Sequence, residues 1–175
     1  MAVLKIVINR YENTNAIANL VNYVLNEEKM PHGCWGGKGI SLYAPAETMY
    51  TVKNIYDKIT GKQAEHFILA FSKEESAKLT FDLIYKMAYD ICDLLGNVQV
   101  LFGLHEVRNT YFSDDYDDDS VHLHFVVNTV ELQTGKKFRL DFSNEYYIKD
   151  CIYEILKSYN ISETIVMVNK KYPEQ

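Results

Sequence analysis

Residues 121–130, which read Val-His-Leu-His-Phe-Val-Val-Asn-Thr-Val, decide how this chain folds. The apolar and β-branched side chains predict a strand that is buried within a sheet. Alternate side chains of a strand point to the same face, so His122 and His124 share one face while Leu123 lies on the other. Residues 98–107 (VQVLFGLHEV) have the same character. We therefore expect these two strands to pair as an antiparallel hairpin.

The periodicity of the rest of the sequence predicts the other elements. Strands are expected at residues 2–9, 66–71 and 165–168, and helices at residues 47–59 and 143–159. Two more helices are predicted, one from the cap at Asn13 or Asn15 to about Glu28, the other from the capping box of Ser72 and Glu75 to about Leu95. The glycine-rich residues 32–39 are expected to form a loop. This order predicts one α+β domain over residues 1–175, with helices packed on a central antiparallel sheet of about five strands.

The composition is typical of a soluble protein with one hydrophobic core. Of its 175 residues, 47% are hydrophobic, which is enough for such a core. No run approaches eighteen apolar residues, so no membrane span is predicted. The first residues are too quickly polar for a signal peptide. The three cysteines are an odd, scattered set that fits a reducing compartment, so a cytoplasmic location is expected.

The net charge excludes a protein that simply coats nucleic acid. The formal charge is −6, but residues 113–120 (SDDYDDDS) hold five aspartates, and removing those five charges from −6 leaves −1 for the rest. A protein that binds nucleic acid through bulk charge is basic. Any role on a polynucleotide must therefore depend on a specific site. The acidic segment is expected to form an exposed loop between the two strands of the hairpin.

A third histidine extends the pair on the hairpin. If the two strands pair, His105 near the end of the first strand comes opposite His122 and His124. Three neutral imidazoles converging on one point form a site for a divalent metal ion with open positions. The alternative for each ring is a half-buried, hydrogen-bonded histidine without a metal. Three imidazoles favour transition ions by affinity, whereas abundance favours Mg²⁺, so the ion is expected to be Mg²⁺ or Mn²⁺.

Three segments, in order along the chain, carry motifs that resemble those of the mobilisation relaxases, members of the HUH endonucleases. Asn19-Leu-Val-Asn-Tyr-Val-Leu-Asn-Glu-Glu-Lys29 is similar to the YhxNxEK nucleophile motif, where h is apolar. His66-Phe-Ile-Leu-Ala-Phe-Ser72, followed by Glu74 and Glu75, is similar to HhhhSF…E. His122-Leu-His-Phe-Val-Val-Asn128, followed by Thr134-Gly-Lys-Lys-Phe-Arg139, resembles HxHxxxN…GKKF. The resemblance covers roughly residues 1–140 and implies a relaxase-like fold with a ferredoxin-like core.

The resemblance also implies an activity. Tyr23 would be the nucleophile, and His105, His122 and His124 would hold the metal ion. The tyrosine would attack one phosphodiester of single-stranded DNA at a transfer origin, giving a 5′-phosphotyrosyl link and a free 3′-hydroxyl. The link conserves the bond energy, so the strand can be rejoined during conjugative transfer or mobilisation. The implied partners are transfer-origin DNA, accessory relaxosome proteins and a conjugative coupling protein.

The first histidine motif departs from the family pattern. The family often has H-x-D with few residues before HxH, whereas here Glu106 follows His105 and sixteen residues separate His105 from His122. In a regular strand Glu106 points away from His105, so it is a poor replacement for the aspartate. The acidic segment resembles an insertion in the hairpin, and one of its aspartates could serve the site instead.

Other residues are candidates for contacts with DNA or with the metal ligands. Lys136, Lys137 and Arg139 follow the metal strand and can reach phosphates, or simply form a solvated turn. Lys29 and Trp35 lie near the glycine-rich loop, where an aromatic ring can stack on a base, although Trp35 can equally cover the core. Asn128 shares a strand face with His122 and His124 and could orient a ligand or a phosphate. His66 is either near the substrate or only a residue at the start of a strand.

Other functions remain open on the sequence alone. Within the same superfamily, the alternatives are a rolling-circle replication initiator and a single-tyrosine transposase. A non-catalytic DNA-binding module that keeps the fold is a second class. A structural metal protein without a role on DNA is a third. Formation of a covalent protein–DNA adduct separates the enzymes from the other two classes.

Overall fold

The computed structural model describes residues 1–8, 11–30, 32–106, 121–140 and 142–171, which form a six-stranded sheet with helices on both faces. Along the chain, the described elements are β1 (Ala2–Ile8), α1 (Ala16–Val24), β2 (Trp35–Lys38), α2 (Pro45–Ile55), β3 (Ala64–Ala70), α3 (Lys73–Ser76), α4 (Phe81–Leu94), β4 (Val98–Glu106), β5 (Val121–Glu131), α5 (Phe142–Ser158) and β6 (Ile165–Lys171). The predicted α+β class is confirmed.

The strands follow the order β2-β4-β5-β3-β1-β6 across the sheet. The predicted hairpin of β4 and β5 is confirmed as an antiparallel pair, and β5 also pairs with β3 near the middle of the sheet. Two details of the prediction are corrected. The sheet has six strands instead of about five, and it is mixed because β6 runs parallel to β1.

The additional strand is β2, which comes from the glycine-rich segment that was expected to be a loop. It pairs antiparallel with β4 at the edge of the sheet, with Gly36 opposite Phe102. A β-carbon at Gly36 would lie 2.7 Å from Cζ of Phe102. Glycine here therefore removes a clash on a packed strand and does not mark a turn.

The helices also differ from their predicted bounds. The capping box of Ser72 and Glu75 is present, but it opens only the short helix α3. Thr80 caps a new helix, α4, by accepting a hydrogen bond from the amide of Leu83. The expected long helix is therefore two helices, because a second N-cap interrupts it. Helix α1 ends at Val24, earlier than predicted.

The two faces of the sheet bury different sets of side chains. On one face, α4 and α5 cover the main core, which includes Phe67, Phe102 and Phe125. On the other face, α1 and α2 cover a smaller core around Leu101 and Val126. The predicted alternation along β5 is thus confirmed, with Leu123 in the main core and the two histidines on the face of α1.

Two further predictions concern residues outside the sheet. Residues 107–120 lie outside the described residues, so the exposed acidic loop stays a prediction. In the parts of the chain that the structure describes, no helix is both long enough and apolar enough to cross a membrane.

Candidate active site

Four histidines from three adjacent strands lie on the face of the sheet that α1 covers. His105 of β4 is directly opposite His122 of β5. His124 is opposite Ile68, which shares a face with His66 of β3. The ring centroids of His105 and His124 are 4.1 Å apart, and those of His66 and His124 are 5.4 Å apart. The structure therefore brings together the three histidines predicted as metal ligands and places His66, the further candidate, beside them.

The C-terminal turn of α1 holds one of these rings. Nε2 of His105 lies 2.9 Å from the backbone oxygen of Val24. That oxygen belongs to the last turn of the helix, where carbonyl groups have no partner within the helix. His105 therefore donates its Nε2 proton to Val24, which leaves the lone pair on Nδ1. A metal-binding histidine commonly donates its second nitrogen to a carbonyl group in this way.

Tyr23 precedes Val24 and packs edge-on against the same rings. Its ring centroid is 5.5 Å from that of His105 and 5.6 Å from that of His124. The side chain is 43% exposed, so the phenol is open to a substrate while its position is set by the two imidazoles. The predicted nucleophile and two of the predicted metal ligands thus occupy one small region.

Gly103 allows the helix to lie this close to the sheet. It stands opposite His124 in the hairpin. A β-carbon there would lie 2.7 Å from Cγ1 of Val24 and 3.2 Å from its oxygen. Any larger residue would push the end of α1 away from β4. The sequence analysis missed this role, although a glycine two residues before His105 in a buried strand was the available signal.

Lys29 also lies beside the phenol of Tyr23. Its Nζ atom is 4.1 Å from the centroid of the Tyr23 ring. The backbone oxygen of Lys29 accepts a hydrogen bond from the amide of Glu106, at 3.0 Å. The segment after α1 is therefore fastened to the end of β4, and this contact places a positive charge beside the tyrosine.

Burial keeps two of the imidazoles neutral. It lowers the pKa of His105, and it lowers the pKa of His124 well below its usual range. The neighbouring histidines, first among them His66, lower the pKa of His124 further. A neutral ring has one N–H group and one lone pair. Both rings are therefore in the form that binds a metal ion at neutral pH.

The residue types and the burial of this histidine cluster fit the binding of a metal ion. Among the side chains that the structure describes, no group of three or more histidine, cysteine, aspartate or glutamate residues has the geometry of a metal centre. The donor set is nevertheless suitable, since burial lowers the pKa of both His105 and His124, their rings lie close together and His105 is hydrogen-bonded through its far nitrogen. The role of His105, His122 and His124 as ligands therefore stays a prediction.

Glu106 and Asn128 lie near the histidines in sequence but face other partners. Glu106 is half-buried, and its carboxylate lies 3.4 Å from Nε2 of His32. Asn128 shares the histidine face as predicted, but it is fully buried under α2. Its amide nitrogen donates to the backbone oxygen of Met49 and to the side chain of Gln99. Asn128 therefore links the sheet to α2, and its burial leaves no surface for direct contact with a phosphate.

The basic residues after β5 begin at the end of that strand that is remote from His124. Seven positions along β5 separate His124 from Glu131, which corresponds to about 23 Å at the rise of an extended strand. Lys136 and Lys137 follow that end, and the backbone then turns back, since Phe138 bonds to Thr129 and Leu140 bonds to Glu65. Arg139 lies on this returning segment, and all three basic side chains are exposed. Trp35 lies in β2 at the sheet edge, where it packs partly buried against the smaller core. Contacts of Lys136 and Lys137 with DNA would be made away from the histidine cluster. Trp35 instead pairs with Gly103, which pairs with His124, so it lies in the same cross-strand row as that histidine.

Comparison with known proteins shows the family of this chain. A family model described as "Relaxase: MobA/VirD2-like, nuclease domain" matches residues 23–161, which is more than half of the chain. The chain therefore belongs to the MobA/VirD2-like relaxase nuclease family. It is also 25% identical over 156 residues to the curated Protein rlx of Staphylococcus aureus. That match covers 87% of this chain but only 42% of the relative, so the chain spans less than half of its length.

Proposed function

We propose that this chain nicks single-stranded DNA at a transfer origin through Tyr23 and rejoins the strand, in conjugative transfer or mobilisation. Membership of the relaxase nuclease family supports a nicking function. The observation that carries the proposal is the contact of the exposed Tyr23 ring with both His105 and His124. A tyrosine beside a cluster of neutral histidines fits covalent attack on a phosphodiester.

In the proposed step, the phenolic oxygen of Tyr23 attacks the phosphorus of one phosphodiester. A bond forms between this oxygen and phosphorus, and the bond between phosphorus and the 3′-oxygen breaks. The phenolic proton is lost, and the departing 3′-oxygen gains one, so the charge balances. The products are a 5′-phosphotyrosyl protein and a 3′-hydroxyl end. The reverse attack by a 3′-hydroxyl rejoins the strand, since a phosphodiester is exchanged for another phosphodiester.

His105, His122 and His124 would hold a divalent cation, Mg²⁺ or Mn²⁺. When bound, such an ion stabilises negative charge on the phosphoryl oxygens of the substrate. The chain itself contributes the positions of the reacting groups. The turn at Val24 holds both His105 and the adjacent Tyr23, which supports a common position for the proposed nucleophile and one proposed ligand. Lys29 adds positive charge beside the phenol.

The test is formation of a covalent adduct that survives denaturation. Single-stranded oligonucleotides that tile both strands of the DNA flanking the coding sequence serve as the probe, each labelled at its 3′ end. The proposed attack joins the tyrosine to the 5′ phosphate of the labelled 3′ fragment. A labelled protein band is therefore expected with Mn²⁺ or Mg²⁺ and not with EDTA. The same oligonucleotides labelled at the 5′ end should yield a shorter strand with a 3′-hydroxyl.

Two variants make this test specific. Tyr23→Phe should form no adduct while keeping its affinity for DNA. Tyr43→Phe, at a fully exposed tyrosine before α2, should form the adduct at the normal rate. An adduct on Tyr23→Phe would show that another residue is the nucleophile. Tight binding of an oligonucleotide by the wild-type protein, without an adduct under any metal condition, would favour a non-catalytic DNA-binding module.

A further inference from the structure

A hydrogen-bonded chain of three side chains runs away from the candidate metal ligand His124. Nδ1 of His124 lies 3.1 Å from Nε2 of His66, and the two rings are stacked at an interplanar angle of 24°. Nδ1 of His66 lies 2.8 Å from the hydroxyl oxygen of Tyr11. Both histidines are almost fully buried, at 3% exposure each. Each nitrogen of His66 therefore has a protein partner.

The outer end of this chain is held by the backbone. Tyr11 has a φ of +72°, in the left-handed region that non-glycine residues rarely adopt. Its carbonyl oxygen accepts a hydrogen bond from the amide of Gln63 at 2.7 Å. The buried side chain of Gln63 in turn donates to the carbonyl groups of Ile59 and Gly61. A strained residue persists only where its surroundings fix it, and such residues concentrate at functional sites.

The chain has two arrangements of protons, and they differ in what His124 can bind. In the first, His124 donates from Nδ1 to His66, and His66 donates from Nδ1 to the Tyr11 oxygen. His124 then presents a lone pair on Nε2. In the second, Tyr11 donates to His66, and His66 donates to His124. Nε2 of His124 then carries the proton and cannot bind a metal ion.

We propose that His66 is a positioning residue that holds His124 with its Nε2 lone pair free for the metal ion, and that Tyr11 holds His66 in turn. The hydrogen bond from a ligand histidine to a second group sets both its tautomer and the direction of its ring. The stacked, buried geometry leaves His124 little freedom to rotate. This inference rests on the proposed function, since it needs His124 to be a metal ligand.

Mn²⁺ affinity, measured by titration calorimetry on the full chain without DNA, tests this role. His66→Leu removes the acceptor for His124 and should weaken Mn²⁺ binding by about 10- to 100-fold, as is usual for such partners. His66→Gln keeps a polar atom near the position of Nε2 and should bind within about threefold of the wild type. Tyr11→Phe keeps the ring and removes the hydroxyl, so its affinity should fall between those of His66→Leu and the wild type.

The control and the fold check separate positioning from general damage. Tyr159→Phe removes a phenol hydrogen bond to Asp90, which lies on α4, and should leave Mn²⁺ affinity unchanged. The melting temperature of each metal-free variant shows whether the fold is intact. Equal Mn²⁺ affinity of wild type and His66→Leu would overturn the positioning role alone. A wild-type protein that binds no Mn²⁺ would overturn the proposed metal centre and this inference together.

Discussion

The ammonium nitrogen of Lys29 lies 4.1 Å from the centroid of the Tyr23 ring, while the rings of His105 and His124 contact the same phenol. The lysine follows α1 by a few residues and is tied to β4 through its own carbonyl oxygen. The candidate nucleophile thus contacts the segment that follows α1 and two strands of the sheet.

Lys29→Met should slow adduct formation by about tenfold, which corresponds to about 1.4 kcal/mol of activation free energy. The ammonium group stabilises negative charge on the phenolic oxygen as the proton is lost. Single-turnover kinetics at saturating protein give the rate without a contribution from DNA affinity. Lys29→Arg should keep most of the rate. Lys38→Met, which removes a partly exposed ion pair with Asp93, is the matched control. A wild-type rate for Lys29→Met would show that the contact is only structural.

Gly103→Ala should displace the end of α1, because the new β-carbon would lie 2.7 Å from Cγ1 of Val24. We expect a loss of about 1–3 kcal/mol in the free energy of unfolding. We also expect slower adduct formation by the protein that remains folded, since Tyr23 moves with Val24. Urea unfolding and the adduct assay measure the two effects. Gly36→Ala creates a similar clash with Phe102 on β4, so it should lower stability without slowing the reaction.

Saturating Mn²⁺ should raise the melting temperature of the wild-type protein. An ion at 100 times its dissociation constant adds about 2.7 kcal/mol to the free energy of unfolding. The double variant His105→Ala/His124→Ala should lose this increase, because it removes two of the three proposed ligands. His32→Ala removes an exposed imidazole outside the cluster, so this variant should keep the full increase in melting temperature with Mn²⁺. A full Mn²⁺ effect in the double variant would place the ion elsewhere.

Lys53 should make stability rise with pH. Its side chain is fully buried, with Nζ bonded to the hydroxyl of Thr129, and burial lowers its pKa from 10.5 to about 8. Between pH 8 and 10.5 the unfolded state binds more protons at this site, so the free energy of unfolding increases with pH in that window. The buried charge costs about 3 kcal/mol at pH 7.

Lys53→Met removes this cost and loses one hydrogen bond worth about 1 kcal/mol, so the variant should be more stable at pH 7 by about 2 kcal/mol. The difference in the free energy of unfolding between Lys53→Met and the wild type should shrink as the pH rises from 8 to 10.5. Urea unfolding at several pH values measures the difference. Lys136→Met, at an exposed lysine, should show no such trend. A constant difference between Lys53→Met and the wild type would mean that folding leaves the pKa of Lys53 unchanged.

Local sequence patterns predicted most strands and their faces. The alternation along residues 121–130 placed His122 and His124 on one side and Leu123 in the core, because the two-residue period of a strand is a local property. Patterns failed where a contact with a distant element decides the outcome. Residues 35–38 form a strand because β4 offers an edge, and Gly36 removes a side chain that Phe102 would exclude.

The candidate site likewise combines features that local patterns predicted with contacts that they did not. By itself, the sequence determined the order of the motifs, the shared face of the histidine pair and the hairpin that brings His105 opposite His122, since these depend on local periodicity and on one short-range pairing. Only the tertiary structure decided that α1 approaches the sheet over Gly103 and that His66 bonds to His124. It also decided that the hydroxyl of Tyr11 bonds to the other nitrogen of His66. Those contacts join residues far apart in the chain, and their geometry depends on how whole elements pack, which no local pattern records.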